Sequence, residues 1–162
     1  MAAAKLDHPP LLGPGRHEVS RRQLFELFVR GRDPTRLTLH YSLMRLFSDL
    51  KRLDIQCEVW VDGSFVCDKK APSDIDVVLV VWYADVDSFS DEAVEFLKLH
   101  SDEAAQKYDD AVDLFVCLRY PRDHVDYGLG TSPEDWAEQF GTENSNLWLK
   151  GFAVVPSREV GA

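Results

Sequence analysis

Asp74-Ile75-Asp76 stands at the head of the most apolar run of the chain, Val77 to Ala84. Extended backbone sends alternate side chains to opposite faces. Asp74 and Asp76 therefore project to one side, their α-carbons about 6.5–7 Å apart at ~3.3 Å per residue. Like charges that close repel, and burying an unpaired carboxylate is costly. A chain tuned only for stability would not set them beside Val77, Val78, Leu79 and Val80, so a positive group is expected to share the site. Asp113 repeats the pattern between Val112 and Leu114-Phe115-Val116. If the two strands are neighbours, Asp74, Asp76 and Asp113 form a hard-oxygen cage suited to Mg²⁺ or Mn²⁺. Two such ions clamp the attacking and leaving oxygens of an in-line phosphoryl displacement.

Gly63-Ser64 supplies a third part. It closes the apolar segment Val59-Trp60-Val61-Asp62 and lies nine residues before Asp74. Glycine permits a tight turn and close backbone approach to a ligand. The N–H groups after it, with the Ser64 hydroxyl, are suited to phosphate oxygens. Lys69 and Lys70 fall within the connection and add positive charge for a polyphosphate. Each signal has an ordinary reading: a turn, a strand edge, or an Asp113–Arg119 ion pair. Their order and spacing together are what is specific.

The elements that must position these residues are legible from periodicity. Residues 1–16, with Pro9, Pro10, Gly13, Pro14 and Gly15, read as an extended arm, and 17–162 as one domain. A helix is predicted over Ser20–Val29, capped by Ser20. A second starts at Asp33-Pro34, with Leu39, Leu43, Leu46, Leu50 and Leu53 along one face. Strands are predicted over Cys57–Val61, Ile75–Tyr83 and Ala111–Leu118, the second covered on both faces. Ser90–Tyr108 reads as helix and Pro121–Ser132 as loop. A short helix over Pro133–Phe140 and a strand over Leu147–Val155 complete an α/β (α+β) domain with a small mixed sheet flanked by helices.

Composition bounds the function. The 162 residues carry 28 acidic against 18 basic side chains, a formal charge of −10. Such a surface repels duplex phosphate, which excludes general DNA coating. The longest apolar run is too short to span a bilayer, and the first residues lack an apolar signal core. A soluble cytoplasmic protein is expected. Cys57, Cys67 and Cys117 form no CxxC pair and read as buried thiols, without a disulfide framework or zinc site. His8, His17, His40, His100 and His124 share no ligand spacing; His40 and His100 fall on helices and read as solvated or hydrogen-bonded. Trp60, Trp82, Trp136 and Trp148 read as core or rim aromatics, with Trp148, near Lys150, the candidate to stack on a base. Arg119 and Arg122 follow the third-acid strand; they read as surface residues, with phosphate contact as the alternative.

Gly63-Ser64, nine residues, Asp74-x-Asp76 and a later apolar-flanked Asp113 resemble the nucleotidyltransferase superfamily related to DNA polymerase beta. The wider phrase Val61-Asp62-Gly63-Ser64-Phe65-Val66, followed by Lys69-Lys70-Ala71-Pro72-Ser73-Asp74-Ile75-Asp76, is similar to short stand-alone bacterial and phage members. Leu12-Gly13-Pro14-Gly15 and Lys150-Gly151 are softer matches; the core of the likeness covers Leu37 to Leu118. The resemblance implies that Asp74, Asp76 and Asp113 ligate Mg²⁺ or Mn²⁺ and that Gly63 and Ser64 bind a nucleoside triphosphate. It also implies transfer of a nucleoside monophosphate to a protein or RNA acceptor, as minimal members do in toxin–antitoxin and defence modules. Larger members add a helical domain that grips the base. Here only 44 residues follow Leu118, and the base pocket is unassigned.

Three rivals stand beside that reading. One is an inactive relative that keeps the fold and binds a cognate protein partner as antitoxin or regulator. Another is a hydrolase that releases phosphate or nucleoside monophosphate without an acceptor. The third is a purely structural role, which leaves three strand carboxylates unexplained.

Overall fold

Short polar side chains set where the helices begin. The computed structural model describes residues 8–101, 107–128, 132–140 and 151–159. Helix α1 (Arg21–Phe28) starts where the Ser20 hydroxyl accepts from Gln23 N–H and the Gln23 side chain accepts from Ser20 N–H, a reciprocal cap. Helix α2 (Pro34–Arg52) starts where Asp33 accepts from Thr35 N–H, with proline in the first turn. The leucine stripe of α2 is buried along its length, from Leu39 to Leu53. Each fully buried leucine contributes roughly 1.5–3 kcal/mol of transfer free energy.

Six strands form one mixed sheet in the order β1-β6-β2-β3-β5-β4. They are β1 (Gly15–Glu18), β2 (Glu58–Asp62), β3 (Ile75–Trp82), β4 (Lys107–Tyr108), β5 (Val112–Arg119) and β6 (Gly151–Pro156). β1 with β6 and β3 with β5 are parallel; the other pairs are antiparallel. Alternation splits the sheet between two apolar layers. Ile75, Val77, Leu79 and Val81 pack with α1, α2 and helix α3 (Asp91–Leu99) in the main core. Val78, Val80, Trp60, Cys117, Phe152 and Val154 form a smaller cluster with Phe140 and Trp136 of helix α4 (Pro133–Phe140). The chain is thus an α+β domain with helices on both faces of a mixed sheet.

The N-terminal arm is packed rather than loose. Leu11 N–H donates to the Val66 carbonyl at 3.0 Å, and Asp68 N–H to the Pro9 carbonyl at 2.7 Å. Gly13 and Leu12 lie against Gly151, where a Cβ would collide with the Gly13 carbonyl and sit 2.8 Å from Leu12 Cβ. The arm also extends further into the fold than its proline content suggests, because residues 15–18 pair with β6.

Two expectations are corrected. The helix predicted over Ser90–Tyr108 ends at Leu99. There His100 N–H closes onto the Leu97 carbonyl, and the Ser101 N–H and hydroxyl onto the Lys98 carbonyl. Lys107-Tyr108 is instead a strand, hairpinned to β5 through Asp109 and Asp110, whose φ angles are 53° and 55°. Aspartate tolerates that left-handed region better than most residues. The strand predicted over Leu147–Val155 is seen from Gly151 onward; residues 147–150, and with them Trp148 and Lys150, lie outside the described residues. His40 and His100 are buried, not solvated, because α2 and the end of α3 turn them toward Phe25 and Phe96 respectively.

Burial pushes the His40 imidazole below its ordinary pKa. Its neutral form is therefore favoured in the folded state, and the stability this gives is complete above the unfolded-state value near 6.5. It is lost as pH falls from there through the lower folded-state value. A plot of urea midpoint against pH between 8 and 5 is expected to slope downward toward acid, and His40→Leu to flatten it. An unchanged slope in that variant would assign the effect elsewhere.

Candidate functional site

Strand register brings the acids together. Asp62 is the partner of Asp76 across β2 and β3, Asp76 of Asp113 across β3 and β5, and Asp113 of Lys107 across β5 and β4. Residues in register share a face, so Asp62, Asp76, Asp113 and Lys107 form one transverse row over four adjacent strands, neighbours about 4.8 Å apart. The row crosses the face that carries Trp60, Val78 and Cys117, at the end of the sheet where β3 and β5 begin. Asp74, two residues before Asp76, joins it through Lys107, whose Nζ lies 3.5 Å from Asp74 Oδ2 and 3.7 Å from Asp113 Oδ1. The positive group expected beside the acids is thus Lys107.

Like charges placed opposite one another destabilise a sheet. At an effective dielectric near 20, two carboxylates some 5–6 Å apart repel by about 3 kcal/mol. The Lys107 ammonium meets Asp74 and Asp113, and Asp62 is only 3% exposed. The Asp113 charge, followed by that of Asp74, raises the pKa of the Lys107 ammonium.

The turn after β2 is built around Asp76. Gly63 has φ 82° and ψ −164°, a region that side chains other than glycine avoid. A Cβ there would overlap the Asp76 carboxylate and lie 3.3 Å from the Asp76 nitrogen. The Gly63 backbone and the Asp76 carboxylate therefore pack directly on each other. Ser64–Val66 follows as a 3₁₀ turn, with Ser64 half-buried at its start.

That turn is held from beneath by Arg36 of α2, 1% exposed. Its guanidinium donates to the carbonyls of Phe28, Phe65, Cys67 and Lys69 at 2.5–3.0 Å. Four backbone carbonyls, not a carboxylate, hold this buried cation in these contacts, and burial lowers its pKa. Lys69 is half-buried with its carbonyl on Arg36. Lys70 is exposed; the hydrogen bonds from Thr35 hold the Asp33 carboxyl, at the start of α2, below its usual range, and the Lys70 charge adds to that. Among the described ion pairs neither lysine meets the acids. Arg119 does not pair with Asp113; it lies 3.3 Å from Glu58 and over the Trp82 ring.

Donor chemistry fits a hard divalent cation. The carboxylates of Asp74, Asp76 and Asp113 offer hard oxygen atoms on one rim, Gly63 leaves room for Asp76, and an ammonium already sits between two of them. As the side chains stand, no three Asp, Glu, His or Cys groups among the described residues form a ready metal cluster.

A cavity of about 470 Å³ opens at the opposite end of β3 and β5, lined by Trp82, Arg119, Tyr120, Arg122 and Tyr127 among others. No motif in the sequence pointed to it. Lys107 was also missed, because a helical reading of 90–108 hid the strand that carries it; the Asp109-Asp110 turn was the available signal. Cys57, Cys67 and Cys117 form no disulfide, and burial raises the Cys117 thiol to about 12, which leaves it inert. No helix among the described residues is long and apolar enough to cross a membrane.

A family model described as a family of unknown function (DUF6932) matches residues 4–156. No curated protein and no solved structure matches the chain.

Proposed function

The chain belongs to that family of unknown function (DUF6932), and from its site we propose that it is a metal-dependent nucleotidyltransferase. It would move a nucleoside monophosphate from a nucleoside triphosphate to a protein or RNA hydroxyl. The observation that carries this reading is the row in which Asp76 and Asp113 stand in register with Asp74 beside them. The resemblance of Gly63-Ser64 and Asp74-x-Asp76 to polymerase-beta-like enzymes supports it independently.

Asp74, Asp76 and Asp113 would hold Mg²⁺ or Mn²⁺. When bound, the ion neutralises charge on the triphosphate and on departing pyrophosphate. The Gly63-Ser64 turn, kept in place by Arg36, positions the phosphates against the acid row. The acceptor oxygen bonds to the α-phosphorus, the α–β phosphoanhydride bond breaks, and Asp113 takes the hydroxyl proton. Three cysteines outside any disulfide, Cys57, Cys67 and Cys117, support a reducing, cytoplasmic setting. A role in a toxin–antitoxin or defence module is the biological form of this reading.

Incubation with α-labelled nucleoside triphosphates, Mg²⁺ or Mn²⁺, and total RNA and protein from a bacterial extract is expected to place label on an acceptor. Asp76→Asn should reduce transfer at least 100-fold with folding intact. Label released only as free monophosphate would instead identify a hydrolase. The second reading, a partner-binding protein that keeps the fold without turnover, draws on the Lys107 bridge. It requires no transfer with any of the four nucleotides.

A further inference from the structure

We propose that Lys107 is a resident of the cation site: its ammonium occupies the space between Asp74 and Asp113 until a divalent cation displaces it. This rests on the metal reading above and adds the residue with which the metal competes.

Three observations converge on it. Lys107 is in register with Asp113, so its stem lies on the acid-bearing face. Its Nζ is 3.5 Å from Asp74 and 3.7 Å from Asp113, longer than the ~2.7–2.9 Å of a tight charge-assisted hydrogen bond. The ammonium is therefore shared loosely between two carboxylates. The side chain is 47% exposed, which gives it a path out.

The backbone that carries it is firmly held. Tyr108 hydroxyl donates to Asp49 at 2.6 Å, and Asp109 accepts from Ser42 and Arg45 at 2.8 Å. The hairpin is pinned to α2 through Tyr108 and Asp109, while the four-carbon stem of Lys107 is half exposed. A divalent ion brings two charges to carboxylates that the ammonium serves with one. Displacement then sets the freed ammonium at the rim of the site, where a polyphosphate anion would meet it.

Competition of this kind weakens apparent metal affinity by the fraction of sites that the lysine fills. Mn²⁺ binding to the full chain, followed by electron paramagnetic resonance, is expected to tighten about three- to ten-fold in Lys107→Gln, since each half-exposed pair is worth a factor of a few. Lys107→Arg, which keeps the charge, should stay within about two-fold of the unsubstituted protein. Lys98→Gln, which removes the same charge from an exposed position on α3, should also stay close to it. In the unsubstituted protein, saturating Mg²⁺ should raise the rate at which an amine-reactive reagent labels Lys107. Should Mn²⁺ bind while Lys107→Gln binds it no more tightly and labelling is unchanged, Lys107 is no competitor and the metal reading survives. If neither protein binds Mn²⁺ at millimolar concentration, the metal reading falls, and the competition proposal with it.

Discussion

Gly63→Ala is expected to lose about 3–5 kcal/mol of stability, read as a lower urea midpoint at unchanged slope. Two costs add. Holding an alanine at the observed backbone angles costs of order 1–3 kcal/mol. The new methyl group also overlaps the Asp76 carboxylate, so either the turn or the acid must move. The second cost is separable: in Gly63→Ala with Asp76→Ala the collision is gone, and the double variant should recover part of the loss. Gly13→Ala is a suitable comparison, with open space around the added atom. If Gly63→Ala behaves like Gly13→Ala within about 0.5 kcal/mol, the close packing of turn and acid is disproved. Whatever folds should bind Mn²⁺ more weakly, because Asp76 is the acid displaced.

Arg36→Met is expected to be comparably severe, at about 3–4 kcal/mol. The four carbonyls that Arg36 serves lose their donor, and each buried acceptor left unmade costs roughly 1–3 kcal/mol. Water entry and relief from burying a guanidinium offset part of that sum. Arg36→Lys should recover only a minority, since a single ammonium cannot span carbonyls from residues 28 to 69 with the planar fork's geometry. Hydrogen exchange will distinguish a local role from a global one. Faster exchange confined to residues 64–69 would make Arg36 a clamp on the turn after β2 alone. Uniform acceleration would make it part of the global fold.

The acid row was legible in sequence for a simple reason. Carboxylates interrupting apolar strands are improbable on stability grounds, and strand parity places them on a face without any knowledge of topology. Whether Asp113 would stand in register with Asp76 was not legible, since strand order is a property of long-range pairing. The same holds for Asp62. It reads as the end of a strand, yet its register with Asp76 makes it the fourth acid of the row. Arg36 was invisible because a single arginine on an amphipathic helix normally snorkels to solvent. Only the loop folding back over it reveals a buried cation. The cap residues Ser20 and Asp33 and the α2 stripe were read correctly because their determinants lie within a few residues of one another. Helix α3 was overextended for the opposite reason. Its terminating hydrogen bonds come from His100 and Ser101, residues with no strong breaking propensity.

The place of β6 has a consequence for how the chain comes together. β6 is later in sequence than every other strand, yet it lies inside the sheet, with β1 on one side and β2 on the other. Until residue 151 is made, β1 has no strand to lean on and β2 presents a bare row of amides and carbonyls, an adhesive margin for other nascent chains. Sheet assembly must therefore wait for β6 to enter a slot already half built, a long-range closure that is slow by its nature. Chaperone dependence during synthesis, relieved once β6 is made, is the cellular trace this architecture should leave.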